Sequence, residues 1–165
     1  HRFPAEVSAT KGNMMMADLW VFLNIILALL ISIPAINLFT HGTHITVAHS
    51  MGTTIGINTL ILLSSVSYIF NKEKEFSEKT INRLKKGIFI FHFSFIFFWI
   101  SLLIMGVKRS YWQFFQSNIS FSKFQESQHW LNIVFVSFGV GIIIGLSTIV
   151  YQLFKNLNAK PEPLN

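Results

Sequence analysis

Long apolar stretches alternate with short polar ones along this chain. Four apolar runs stand out, at about 19–39, 44–70, 87–107 and 130–154. Each is near or above the ~20 residues an α-helix needs to cross a ~30 Å hydrocarbon core. Backbone N–H and C=O groups find no water in that core, so each run is expected to close its hydrogen bonds as a helix. Run one, LWVFLNIILALLISIPAINLF, carries Pro34 near its end, where the missing N–H and the ring predict a kink. THGT, Thr40 to Thr43, is expected to be a tight turn into run two. NKEKEFSEKTINRLKK, 71–86, reads as a charged loop. SYWQFFQSNISFSKFQESQHW, 110–130, reads as an aromatic and polar connector along the membrane interface. The expected class is all-α: a polytopic membrane protein with four transmembrane helices across 19–155, a polar N-terminal segment, 1–18, and a polar tail, 156–165.

Composition agrees with this class. Only 12% of the 165 residues are charged, against ~25% in soluble domains. The chain has no cysteine, which excludes disulfides, thiolate metal sites and iron–sulfur clusters. The net charge of +6 does not signal a nucleic-acid partner, because the basic residues sit in the loops and terminal segments outside the apolar runs, where membrane topology explains them. They divide unevenly. Arg2, Lys11, Lys72, Lys74, Lys79, Arg83, Lys85, Lys86, Lys155 and Lys160 fall on one side of the bilayer; Lys108, Arg109 and Lys123 fall on the other. The positive-inside rule then puts both termini in the cytoplasm and the histidine turn outside. Nothing before Leu19 reads as a signal peptide. With His1 first, the chain is expected to be a piece of a longer protein or a processed subunit.

The candidate chemistry lies in HGTHITVAHSM, which holds three of the six histidines. His41 and His44 sit at the turn, where helix capping or contact with water accounts for them as well as a site does. His49 differs: with a helix starting near Thr43 it lies ~9 Å inside. A buried imidazole needs a partner, and metal is among the commonest. Met51 is ~200° further round the helix, nearly on the opposite face. His49 and Met51 therefore cannot serve one metal, although they could serve two. Both residue types are haem axial ligands, while a Met taken alone also reads as packing. Gly52 and Gly56 favour close helix packing and would equally leave room for a flat macrocycle. His92 enters run three from the cytoplasmic side, too far across the core to share an iron with His49, and reads as a hydrogen-bonded bundle residue. His129 opens run four on the outer side; a His49–His129 pair is geometrically allowed, but His129 is expected at the interface.

At FTHGTHITVAHSM, with PAINLFTHGT leading into it, the sequence resembles the catalytic subunit of bacterial nitric oxide reductases, within the haem–copper oxidase superfamily. That family runs an aromatic-rich turn into His-Gly-Thr, then Thr-x-Ala-His-x-His. The later helices fit its last two in length and spacing, so the resemblance makes this chain the C-terminal part of a haem–copper-oxidase-like helix bundle. It implies that His49 is the proximal ligand of the high-spin haem b. It implies that Met51, where the family has a second His, holds the low-spin haem b, or that this haem is altered or absent. It implies that His41 lies near the haem propionates; His44 replaces a variable residue and has no assigned role. The second metal, a non-haem iron, has its ligands on earlier helices of the family. This chain has no adjacent His pair and no acidic residue inside an apolar run, so its partners would be the remaining helices of the catalytic subunit.

The implied function is reduction of nitric oxide to nitrous oxide, an oxidoreductase of denitrification in a respiratory chain of the bacterial inner membrane. Electrons would come from a cytochrome c subunit or from quinol. The nearest rival is an oxygen-reducing terminal oxidase on the same scaffold, which the upstream metal ligands would distinguish. A haem-carrying electron-transfer subunit without an open iron, and a purely structural membrane subunit, are the readings from other classes.

Overall fold

The computed structural model describes residues 5–73, 76–116 and 118–158, with side chains from Gly12 onward. His1, Arg2, Lys74 and Lys160 lie outside the described residues, as does the side chain of Lys11 and the tail from 159. The described chain is helical throughout: α1 (Ala5–Ser32), α2 (Pro34–Thr40), α3 (His44–Met51), a π-helix (Gly52–Thr59), α4 (Leu60–Glu73), α5 (Glu78–Phe115), α6 (Phe121–Ser127) and α7 (His129–Asn158). Four stretches are long and apolar enough to cross a membrane: Gly12–Ser32, His44–Glu73, Glu78–Phe115 and His129–Asn158.

Helices extend beyond the apolar runs at several ends. Residues 5–18, expected to be irregular, form the start of α1. Their Ala, Glu and Met residues favour helix, and no Pro interrupts 5–32. The charged loop shortens in the same way: α4 runs to Glu73, and α5 starts at Glu78 with Ser77 capping Thr80 N. Of the expected connector, 110–115 belongs to α5 and 121–127 is a helix of its own. At Pro34 the helix breaks. Ile33 is extended (φ −69°, ψ 124°), and Pro34 opens α2. The ring disfavours helical geometry for the residue before it and suits the first turn of a new helix, and a break stands here in place of the expected kink.

Threonines build the turn after α2. Thr40 Oγ1 bonds back to Ile36 O, Thr43 Oγ1 donates to Thr40 O at 2.7 Å, and Thr43 caps α3 by accepting from Ile45 N. Gly42 has φ +72°, a left-handed position that glycine adopts without a Cβ clash. Phe39 stacks on Phe114, which ties the turn to the far end of α5.

The core joins these helices through small residues. The α5–α7 contact is the most extensive in the molecule, and α1 packs on α4 and the π-helix. A Cβ on Gly145 would lie 2.7 Å from Phe91 N, so the two backbones touch; Gly141 seats against Ser94 one turn away. This small-xxx-small spacing replaces side-chain bulk with backbone contact, the usual means of helix association in lipid. Phe91, Phe95, Leu60 and Ala48 are fully buried at the centre. Phe22, Leu29, Phe89 and Ile143 point outward at more than 60% exposure, as expected where the solvent is hydrocarbon.

Candidate functional site

His49 sits on α3, half-buried, with its ring turned towards α1. Its Nδ1 lies 3.1 Å from Asn24 Oδ1. Two neighbouring bonds fix the direction of this one. Thr53 Oγ1 donates its proton to the carbonyl oxygen of His49 at 3.3 Å. Thr53 Oγ1 must then accept from Asn24 Nδ2, 2.5 Å away. With its amide nitrogen so engaged, Asn24 presents Oδ1 to the imidazole, and Nδ1 is the donor. In the neutral form of the ring this pairing puts the lone pair on Nε2.

Asn24 reaches this position because residue 52 is a glycine. A Cβ there would lie 2.6 Å from Asn24 Oδ1. The same face of the helix is closed by Trp99, whose Nε1 donates to Ala48 O at 2.9 Å. One turn on, a Cβ on Gly56 would meet the Trp20 ring at 2.7 Å and Phe95 at 3.0 Å. Of the two uses open to these glycines, the structure takes close packing: indoles and a carboxamide fill the space beside them.

From Gly52 the helix widens into the π form, which lasts to Thr59. Thr59 Oγ1 donates to Thr54 O, five residues back, while Thr53 Oγ1 occupies the His49 carbonyl. These hydroxyls bond carbonyls that an α-ladder would use, which favours such irregularity, and π segments recur at functional sites.

The other expected site residues lie apart. Met51 is half-buried and packs against the hydrophobic core cluster. His41 is exposed at the end of α2, its backbone N–H bonded to Asn37 O. His44 opens α3 and lines a cavity with Arg109 and Gln128. His92 is half-buried on α5; neither ring nitrogen has a hydrogen-bond partner among the described residues, so the expected hydrogen bond is not formed there. His129 is exposed at the start of α7. No three residues of the His, Cys, Asp and Glu types come together as a metal site among the described residues. A haem needs only one or two protein ligands. An imidazole whose Nδ1 is paired with Asn24 Oδ1 fits such a ligand through Nε2.

Asn24, Thr53 and Trp99 were not singled out from the sequence. Asn24 does carry a signal: it is a carboxamide in the middle of WVFLNIILALL, where a polar group needs a partner. No family model matches the chain, and neither a curated protein nor a solved structure does.

Proposed function

We propose that this chain supplies the haem-bearing helix of a membrane enzyme that reduces nitric oxide to nitrous oxide. One observation carries the reading: His49 Nδ1 lies 3.1 Å from Asn24 Oδ1, a pairing in which a neutral ring carries its lone pair on Nε2. Metal-binding histidines are commonly held this way, with the second ring N–H given to an oxygen that fixes tautomer and ring plane. The sequence block around His49 supplies the identity of the metal group, through its resemblance to nitric oxide reductases.

In this reading His49 Nε2 is the proximal ligand of the high-spin haem b. A haem held there would supply an iron able to take up a small diatomic substrate. Asn24 holds the imidazole plane and tautomer. Because its oxygen is neutral, it gives the ring less basicity than a carboxylate would. Gly52 keeps Asn24 seated, and Trp99 anchors the backbone one residue before the ligand. The net reaction combines two nitric oxide molecules with two electrons and two protons, giving nitrous oxide and water. Upstream helices of the catalytic subunit would hold the non-haem iron, and a cytochrome c subunit or quinol would donate the electrons. Met51 as the low-spin haem ligand, and His41 beside the propionates, rest on the resemblance alone.

The test uses the membrane assembly that contains this chain. His49→Ala should abolish both the carbon monoxide difference spectrum and nitric oxide reduction, and metal analysis should give iron without copper. Undiminished carbon monoxide binding in the variant would place the iron on another residue. Stoichiometric copper would shift the substrate to oxygen. A wild-type haem that ignores carbon monoxide would make the chain an electron-transfer subunit.

A further inference from the structure

A separate cavity of about 390 Å³ lies at the ends of three membrane-spanning helices. That size is within the ~300–1,000 Å³ range of ligand sites. His44 and Val47 face it from α3, Met105 and Arg109 from α5, and Phe121 and Phe124 from α6. Gln125, Gln128 and Asn132 complete its polar side.

The charge in this cavity is held without a counter-ion. The guanidinium of Arg109 sits 4.7 Å from the Trp112 ring centroid and 4.8 Å from that of Phe121. Aromatic faces attract a cation and leave its outward N–H groups free to donate. No carboxylate among the described residues pairs with it. Two further groups are unsatisfied beside it. Gln128 is 94% buried (6% exposed), and its Oε1 has no hydrogen-bond partner; His44 Nδ1 is also buried and unpartnered. A cation faced by carboxamides, with no carboxylate paired to it among the described residues, suits an occupant that brings an anion together with polar groups.

We propose that this cavity binds the headgroup of a membrane phospholipid: a phosphodiester against Arg109, with the headgroup's own ammonium or hydroxyl against the polar side formed by Gln125, Gln128 and Asn132. Position selects lipid over a soluble phosphate compound. The cavity is level with the helix ends, and its apolar wall, Val47, Met105, Phe121 and Phe124, includes two side chains more than 40% exposed, Val47 and Phe121, along which an acyl chain can descend. The inference is independent of the haem reading, since none of its residues touches His49 or Asn24 through a hydrogen bond described above.

The experiment uses the full chain in its membrane assembly, purified in mild detergent, with bound phospholipid measured by mass spectrometry. The preparation is then titrated with nanodiscs of phosphatidylcholine carrying added phosphatidylethanolamine or phosphatidylglycerol. Arg109→Gln should reduce retained lipid about ten-fold, the loss expected for one charged hydrogen bond. Gln128→Leu should erase the preference for the two donor-bearing headgroups over phosphatidylcholine. Arg109→Lys, which keeps the charge and tests whether the fold survives, should retain intermediate binding. Lys108→Gln, an exposed neighbour, should change nothing. Equal loss in Lys108→Gln would reduce the effect to general surface attraction and overturn the site. Displacement by soluble glycerophosphate at the same concentration as by lipid would overturn the membrane source. A loss of haem with lipid unchanged in Arg109→Gln would give the cavity to a cofactor carboxylate instead.

Discussion

The indole N–H of Trp99 donates to the carbonyl oxygen of Ala48 at 2.9 Å, although 51 residues of chain separate them. That carbonyl also receives the Gly52 N–H. The bond therefore pins α5 to the turn that carries His49. Trp99→Phe keeps most of the ring and loses the donor, so a stability loss of ~1 kcal/mol is expected and, if His49 holds the proposed haem, a shift in the haem spectrum. Trp112→Phe loses a bond of the same length, to Ile119 O, and should leave the haem spectrum alone. Equal spectral changes in both variants would mean that the pin does not act on His49.

In the proposed haem site Asn24 would position His49 and bind nothing itself. Asn24→Leu should weaken haem retention by ~10–100-fold, the usual effect of losing such a supporting partner. Its specific signature is the iron–histidine stretch in the resonance Raman spectrum, which should fall as Nδ1 loses its acceptor. Asn24→Asp should raise that frequency and lower the midpoint potential, because a carboxylate pushes more density onto the ring. An unmoved stretch in both variants would leave Asn24 with a packing role only.

Gly52→Ala sets a methyl group against Asn24 Oδ1 at 2.6 Å. Overpacking of this kind costs ~1–3 kcal/mol. Gly139→Ala is the matched control: its nearest neighbour, Phe98, would stand at 3.7 Å, an ordinary contact. There alanine's helix preference of up to ~1 kcal/mol should show as slight stabilisation. Thermal unfolding of the two variants in detergent should move in opposite directions; a shared direction would count against the packing described around Asn24.

A haem-ligand role for Met51 rests on the sequence resemblance alone. If it holds the low-spin haem, Met51→His should keep that haem low-spin and lower its potential, because Met ligation raises potential relative to imidazole. Met51→Leu should then lose the thioether absorption band. A Met51→Leu assembly with unchanged spectrum and potential would leave Met51 in the core cluster that it packs against.

Orientation is tested by single cysteines at Ser77 and Asn118, both exposed and on opposite ends of α5. With the termini cytoplasmic, an impermeant thiol reagent added to intact cells should label Asn118→Cys and spare Ser77→Cys. The reverse pattern would invert the bundle.

The four spans were legible because hydropathy over ~20 residues is a local property, and so was the THGT turn. Three features were not. The break at Ile33 and a kink at Pro34 have the same local cause, and packing decides between them. The π-helix escapes any reading that assumes one period throughout a helix, since its cause lies in where Thr53 and Thr59 send their hydroxyls. The partnership of His49 with Asn24 spans 25 residues, a separation that only the docking of α1 on α3 can close. His49 was found because its neighbours form a block; Asn24 has only its polarity to mark it.

The π-helix also works as a gear between the two halves of the second span. Closing each turn over five residues places more residues in a turn than the α form does, so Leu60–Glu73 is rotated relative to where an unbroken α-helix would carry it. His49 can be aimed at α1 while Leu60, Leu63 and Ser64 still face inward. Removing one residue between Gly52 and Thr59 would tighten the coil and force a choice: the His49 end or the core end keeps its bearing, and the other turns away.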